Sequence, residues 1–207
     1  MTSEFILFFL IFTVLVGSIE IAKRKFAIQA GISRKVGHVA AALIASIMPF
    51  FLDKTEIILL GVVFAVLFLL VRRTRLLSSI HTVSRLTFGD VFLPLGVALS
   101  AAYFLPAKVA AFQFGILVMG VSDMLACFIG EWRGKHRVKI FGSAKSAEGS
   151  SAFFISTVMF VFLFVSRFSF EGVLVTLVLT GAEFVLVFGL DNLILPVLGA
   201  YLIQFLM

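Results

Sequence analysis

GSAKSAEGSSAFF, residues 142–154, is a polar turn set between two apolar runs. Glycine, serine, lysine and glutamate crowd together here, as they do in loops that hold phosphate groups. The runs on either side, 109–129 and 150–166, are long enough to cross a bilayer, which takes about 20 apolar residues and about 17 at the low end. A phosphate-friendly turn between two such segments frames the reading of the chain.

Composition carries that reading outward. Of 207 residues, 61% are hydrophobic and only 14% charged. A soluble domain has roughly a quarter charged residues, so the chain has the make-up of an integral membrane protein. No polar stretch is long enough to fold separately, which predicts a single membrane-embedded domain over 1–207. The one cysteine, Cys127, excludes an internal disulfide.

Eight apolar runs occur, at 5–22, 36–52, 57–71, 88–105, 109–129, 150–166, 170–190 and 193–207. They predict an all-α polytopic fold of about eight transmembrane helices, with seven as the alternative count. The runs at 57–71 and 193–207 are short. Lys54 and Arg72 can snorkel to extend the first, and the second can tilt or thin the bilayer.

The net charge of +6 looks like a nucleic-acid signal, but the hydropathy excludes a soluble nucleic-acid binder. The charges sort by loop instead. Fourteen of the 17 Lys and Arg lie in loops 1, 3 and 5, with Lys54, Lys108 and Arg167 on the other side. The positive-inside rule therefore predicts that loops 1, 3, 5 and 7 are cytoplasmic and the N-terminus outside. The first run has no basic residue before it and KRK (23–25) directly after it, which is not the pattern of a signal peptide.

The unusual polar residues collect on the same side: SRKVGH (33–38), RLTFGD (85–90), the long stretch 131–150 and LDNLILP (190–196). Asp123 lies inside the fifth run. A carboxylate there costs at least a few kcal/mol and is a functional hypothesis by default. Gly120, Asp123, Cys127 and Gly130 share one helical face, whose small residues let a helix or ligand approach closely. Asp123 is eight residues before Glu131, and Glu183 eight before Asp191, so each carboxylate sits about 12 Å below its helix end. Two carboxylates at similar depth can share a metal ion or a polar cavity.

In loop 5, Lys139 and Lys145 offer compact positive charge. Gly142, Ser143, Gly149, Ser150 and Ser151 offer accessible backbone N–H groups and hydroxyls, and the turn opens a helix whose N-terminus favours anions. Glu148, beside lysines and a phosphate site, is a Mg²⁺ candidate. The loop is not a Walker A loop. Arg34 and His38 are four residues apart and share a face, while His81 and His136 sit in basic loops as solvated residues.

RKVGH, SDMLACFIGEWRGKHRVKIFGSAKSAEGSSAFF and AEFVLVFGLDNLILPVLG, in this order, resemble the CTP-dependent polyprenol kinase family. That family includes dolichol kinase, phytol kinase and the CTP-using diacylglycerol kinase, and is related to phosphatidate cytidylyltransferase. The resemblance runs from Arg34 onward. Its most specific part is Asp123, Ala126, Gly130, Gly134, Lys145, Glu148 and Gly149; Ser122 is a departure beside the Asp-x-x-Ala element.

The resemblance implies a cytosolic CTP and Mg²⁺ site, with a lipid alcohol entering from the bilayer. It implies that Asp123 holds Mg²⁺ with Glu148 or Asp191, that Lys139 and Lys145 bind CTP phosphates, and that Arg34, Lys35 and His38 form the phosphate or headgroup zone. Glu183 and Asn192 are expected in the cavity. His38 is the candidate general base on its chemistry. The loop GSAKSAEGS lacks the proline and threonine usual in the cytidylyltransferase branch, which remains the nearest rival. A more distant rival is an ion-coupled transporter, for which an echo between GDVFLPLG (89–96) and LDNLILPVLG (190–199) is the only repeat signal.

Overall fold

The computed structural model describes residues 2–74, 87–141 and 143–207. Arg75, His81, Arg85 and Gly142 therefore lie outside the described residues. Eight helices follow one another: α1 (Ser3–Phe26), α2 (Ala30–Ile47), α3 (Lys54–Thr74), α4 (Gly89–Phe104), α5 (Val109–Arg133), α6 (Ala147–Val165), α7 (Phe170–Val185) and α8 (Asp191–Ile203). The all-α polytopic class holds, and among the described residues the helices number as expected.

Four of them, α1, α3, α5 and α6, are long and apolar enough to cross a membrane. Helix α3 takes in Lys54 and the arginines beyond its apolar run, which answers that run's shortness. Helix α8 has 13 residues. At 1.5 Å per residue it is about 20 Å long, against a hydrocarbon core of about 30 Å. Large apolar side chains such as Leu10, Val14, Leu70, Leu163 and Leu177 point outward, as lipid contact requires.

Local chemistry sets the helix ends. Thr2 caps α1, its Oγ1 accepting the Phe5 N–H at 3.2 Å. Ser146 caps α6 by accepting the Gly149 N–H at 3.1 Å, and Ser169 does the same for α7 with Gly172. Helix α5 is continuous but carries a π-helical turn, Val118–Ser122, directly before Asp123. Such bulges often occur at functional sites, because the extra residue re-aims the side chains beyond it.

One element was not foreseen. Residues 137–140 and 143–146 pair as a small antiparallel hairpin, β1 (Arg137–Ile140) with β2 (Ser143–Ser146), where the sequence suggests only a polar loop. RVKI alternates over only four residues and SAKS does not, too short a signal to mark a hairpin from sequence.

The core is formed where α8 packs on both α4 and α5, with Phe112, Phe114, Leu195 and Ile203 fully enclosed. Small residues make these crossings close. A Cβ at Gly96 or Gly115 would collide with the α8 backbone at Asn192 or Pro196. Helix α1 is peripheral, and buries only Phe5, Phe8 and Glu20.

Candidate functional site

At one end of the bundle, the start of α2, the C-terminal half of α5, β2, the start of α6, the end of α7 and the start of α8 enclose a polar cavity of about 360 Å³. That volume is in the range of small-molecule sites. Into it come Arg34, Lys35 and His38 from α2, Asp123 from α5, Ser143 and Lys145 from β2, Gly149 and Ser150 from α6, Glu183 from α7, and Asp191 and Asn192 from α8. Residues spread over 160 positions of sequence thus meet in one space.

The expected small face of α5 is what admits its neighbours. A Cβ at Gly120 would strike Ala42 of α2, and one at Gly130 would meet Ser146 Oγ at 2.9 Å. Asp123 sits between these two contacts, so α2 and the hairpin crowd the helix above and below it.

Two ion pairs cross the cavity. Lys145 pairs with Glu183, whose side chain is 3% exposed, and Ser150 Oγ lies 3.5 Å from the same carboxylate. Lys35 pairs with Glu131. Burial of Lys145 works against its charge, but Glu183, Asp123 and Asp191 outweigh that and hold its pKa above the ordinary lysine value. Among the described residues, Arg34 makes no ion pair and the Asp123 carboxylate accepts no hydrogen bond.

Four basic residues (Arg34, Lys35, Arg137, Lys145) and four acidic ones (Asp123, Glu131, Glu183, Asp191) line the space. Their formal charges cancel. An anion as charged as a nucleoside triphosphate would therefore need compensation from outside the protein. The residues present suit a magnesium ion. Among the described residues Asp123 is uncommitted, Asp191 accepts only the neighbouring Asn192 N–H at 2.9 Å, and Asn192 Oδ1 is buried without a partner. Among the described residues no three metal-ligating side chains cluster.

Two expected site residues stand elsewhere. Lys139 pairs in register with exposed Ala144, while Lys145 pairs with Val138, so the two lysines occupy opposite faces of the hairpin and Lys139 does not reach the cavity. Glu148 does not line it either. As the second residue of α6 it turns to His136, accepting that residue's N–H at 3.3 Å and lying 2.8 Å from its Nδ1. Gly142 lies outside the described residues. The start of α6 is also less open to anions than expected. Its Ala147 N–H donates to His136 and its Gly149 N–H to Ser146.

Two cavity residues escape the sequence reading. Glu131 continues the Asp123–Cys127 stripe by one more turn, a spacing that signals it. Arg137 gives no such sign. Its guanidinium donates to the carbonyls of Gly130, Glu131 and Gly134 and so caps the end of α5.

An all-α membrane protein with a polar cavity at one end of the bundle is the class these observations define. Over 194 residues the chain is 29% identical to a phytol kinase from Synechocystis sp., an alignment covering 89% of this chain and 82% of that protein. Over 118 residues it is 38% identical to an uncharacterized protein of Methanocaldococcus jannaschii, covering 56% of this chain and 58% of that one. No protein-family model matches the chain, and no solved structure matches it.

Proposed function

We propose that this protein is a membrane kinase that transfers the γ-phosphoryl group of CTP to a lipid alcohol, at the cytoplasmic face. The meeting of Arg34, Lys35, His38, Asp123, Lys145 and Asp191 in one cavity carries the reading. The similarity to a phytol kinase along most of the chain supports the lipid-alcohol kinase class. The concentration of Lys and Arg at the loops of this end supports the cytoplasmic orientation.

Phosphoryl transfer depends on positioning and charge stabilisation more than on covalent chemistry. Arg34 and Lys145 bind the phosphates. Arg34 is free to do so, and Lys145 is held in place by Glu183. Lys35 and Ser143 complete the anion-facing wall. The alcohol oxygen forms its bond to the γ-phosphorus as the bond from that phosphorus to the bridging oxygen breaks, releasing CDP. His38 takes the hydroxyl proton. Asp123, Asp191 and Asn192 Oδ1 would hold a magnesium ion. That ion would neutralise charge on the phosphate oxygens.

The test uses purified protein, CTP labelled on either the α- or the γ-phosphate, magnesium and a panel of lipid alcohols. Label from the γ-position in the lipid, with CDP released, is the expected outcome. Label from the α-position with release of pyrophosphate would instead establish a cytidylyltransferase.

A further inference from the structure

A second cavity, apolar and about 130 Å³ in volume, lies among α1, α2, α3 and α4. It shares Arg34 and His38 with the polar cavity, so these two residues stand where the spaces adjoin. Its polar residues gather at that end, with Ser33 and with Asp90, which is held by Arg72 at 2.7 Å. The remaining wall is hydrocarbon. At 1.5 Å per residue, the stretch of α2 that lines it, 33–45, runs about 18 Å. That is deeper than one leaflet, half of a core about 30 Å thick.

Helix α1 closes the outer side, and closes it loosely. Phe12, Leu15, Val16 and Ile19 recur at i, i+3, i+4 and i+7, one inward face, yet none is fully buried. The helix is fastened toward its N-terminus. Thr2 Oγ1 donates to Glu56 at 2.7 Å, and Phe9 and Phe12 pack on Phe64 with ring centroids 5.4 and 5.6 Å apart. Between Phe12 and Ile19, Leu15 and Val16 face the cavity and are only half-buried.

We propose that this groove is the binding site for the hydrocarbon chain of the lipid alcohol. One chain lies along α2 beneath α1 and enters from the bilayer past the loosely packed stretch 12–19. Its hydroxyl ends at His38, where it meets the phosphate cavity. A wall with one polar end and no fixed charge along its length suits a neutral single-chain alcohol. This inference rests on the kinase reading for the identity of the chain's headgroup, but not for the site itself.

The experiment uses the full chain in nanodiscs and hexadecanol carrying a diazirine near its tail. Irradiation without nucleotide should place adducts on Met48, Leu60 or Phe64, toward the end of the groove remote from His38. Gly37→Leu fills the groove beside His38, and its Cβ meets only the movable tip of Ile19 at 3.0 Å. That variant should lose about tenfold of the adduct yield and raise the lipid KM about tenfold, with the KM for CTP unchanged. Adducts confined to outward residues such as Leu10 and Leu67, at the same yield in Gly37→Leu, would overturn the groove. Groove adducts in a protein that turns over no alcohol would keep the site and sink the kinase reading instead.

Discussion

Asn192 donates its side-chain amide to the carbonyl of Gly89 at 3.0 Å, joining the start of α8 to the start of α4 at the wall of the polar cavity. The Phe88 N–H reinforces the junction by donating to Phe188 O at 2.9 Å. The two stretches that echo each other in sequence are therefore neighbours in space. With the amide nitrogen fixed, Oδ1 remains buried and unpartnered.

Asn192→Leu keeps the volume and removes both polar atoms. The Gly89 carbonyl then loses its partner, which costs about 1–3 kcal/mol. A lowered thermal midpoint in detergent, together with a raised magnesium requirement for turnover, is expected. An unchanged magnesium titration would exclude Oδ1 from the cation site.

Asp123→Asn preserves size and removes charge from a carboxylate with no protein partner of its own. Turnover should fall about 100-fold or more, the scale for loss of one preorganised charge-stabilising group. Size-exclusion behaviour and thermal midpoint should be retained. Wild-type activity in this variant would reduce Asp123 to helix packing.

The face of α5 was legible because helical spacing alone places Gly120, Asp123, Cys127 and Gly130 together, and Ala42 and Ser146 do fill the room left by the glycines. The pairing of Arg34 with His38 followed from the same arithmetic. The two lysines of loop 5 could not be separated that way. Which of them enters the cavity depends on strand register, and neither RVKI nor SAKS has a buried face to fix it. Glu148 was misleading for a related reason. Once Ser146 becomes the cap of α6, the glutamate two positions on is carried round to His136. The apolar groove had no sequence signal, since its wall is built from four helices of ordinary composition.

Orientation has its own test. With Cys127 replaced by serine, single cysteines at Lys135 and at Lys54 or Arg167 should label from opposite sides of sealed vesicles. Lys54 begins α3 and Arg167 follows α6, the helix ends remote from the cavity. Lys135 is expected on the cytoplasmic side. Labelling of Lys135 only from outside would remove cytosolic CTP from the reading.

The buried pair Lys145–Glu183 can be tested for structure and function separately. Lys145→Met leaves an unpaired carboxylate that is 3% exposed, and removal of one partner from a buried pair costs about 3–5 kcal/mol. Adding Glu183→Gln should recover most of that stability and none of the turnover, because the phosphate-binding ammonium is still missing. The pH dependence follows from the raised pKa of Lys145. Its contribution is complete below the unfolded lysine value of about 10.4 and is lost only as pH rises through the higher folded value. The difference in unfolding midpoint between wild type and the double variant should therefore stay flat from about pH 6 to about pH 9. A difference that shrinks within that window, or a double variant that regains turnover, would show that Lys145 neither keeps its charge there nor serves the phosphates.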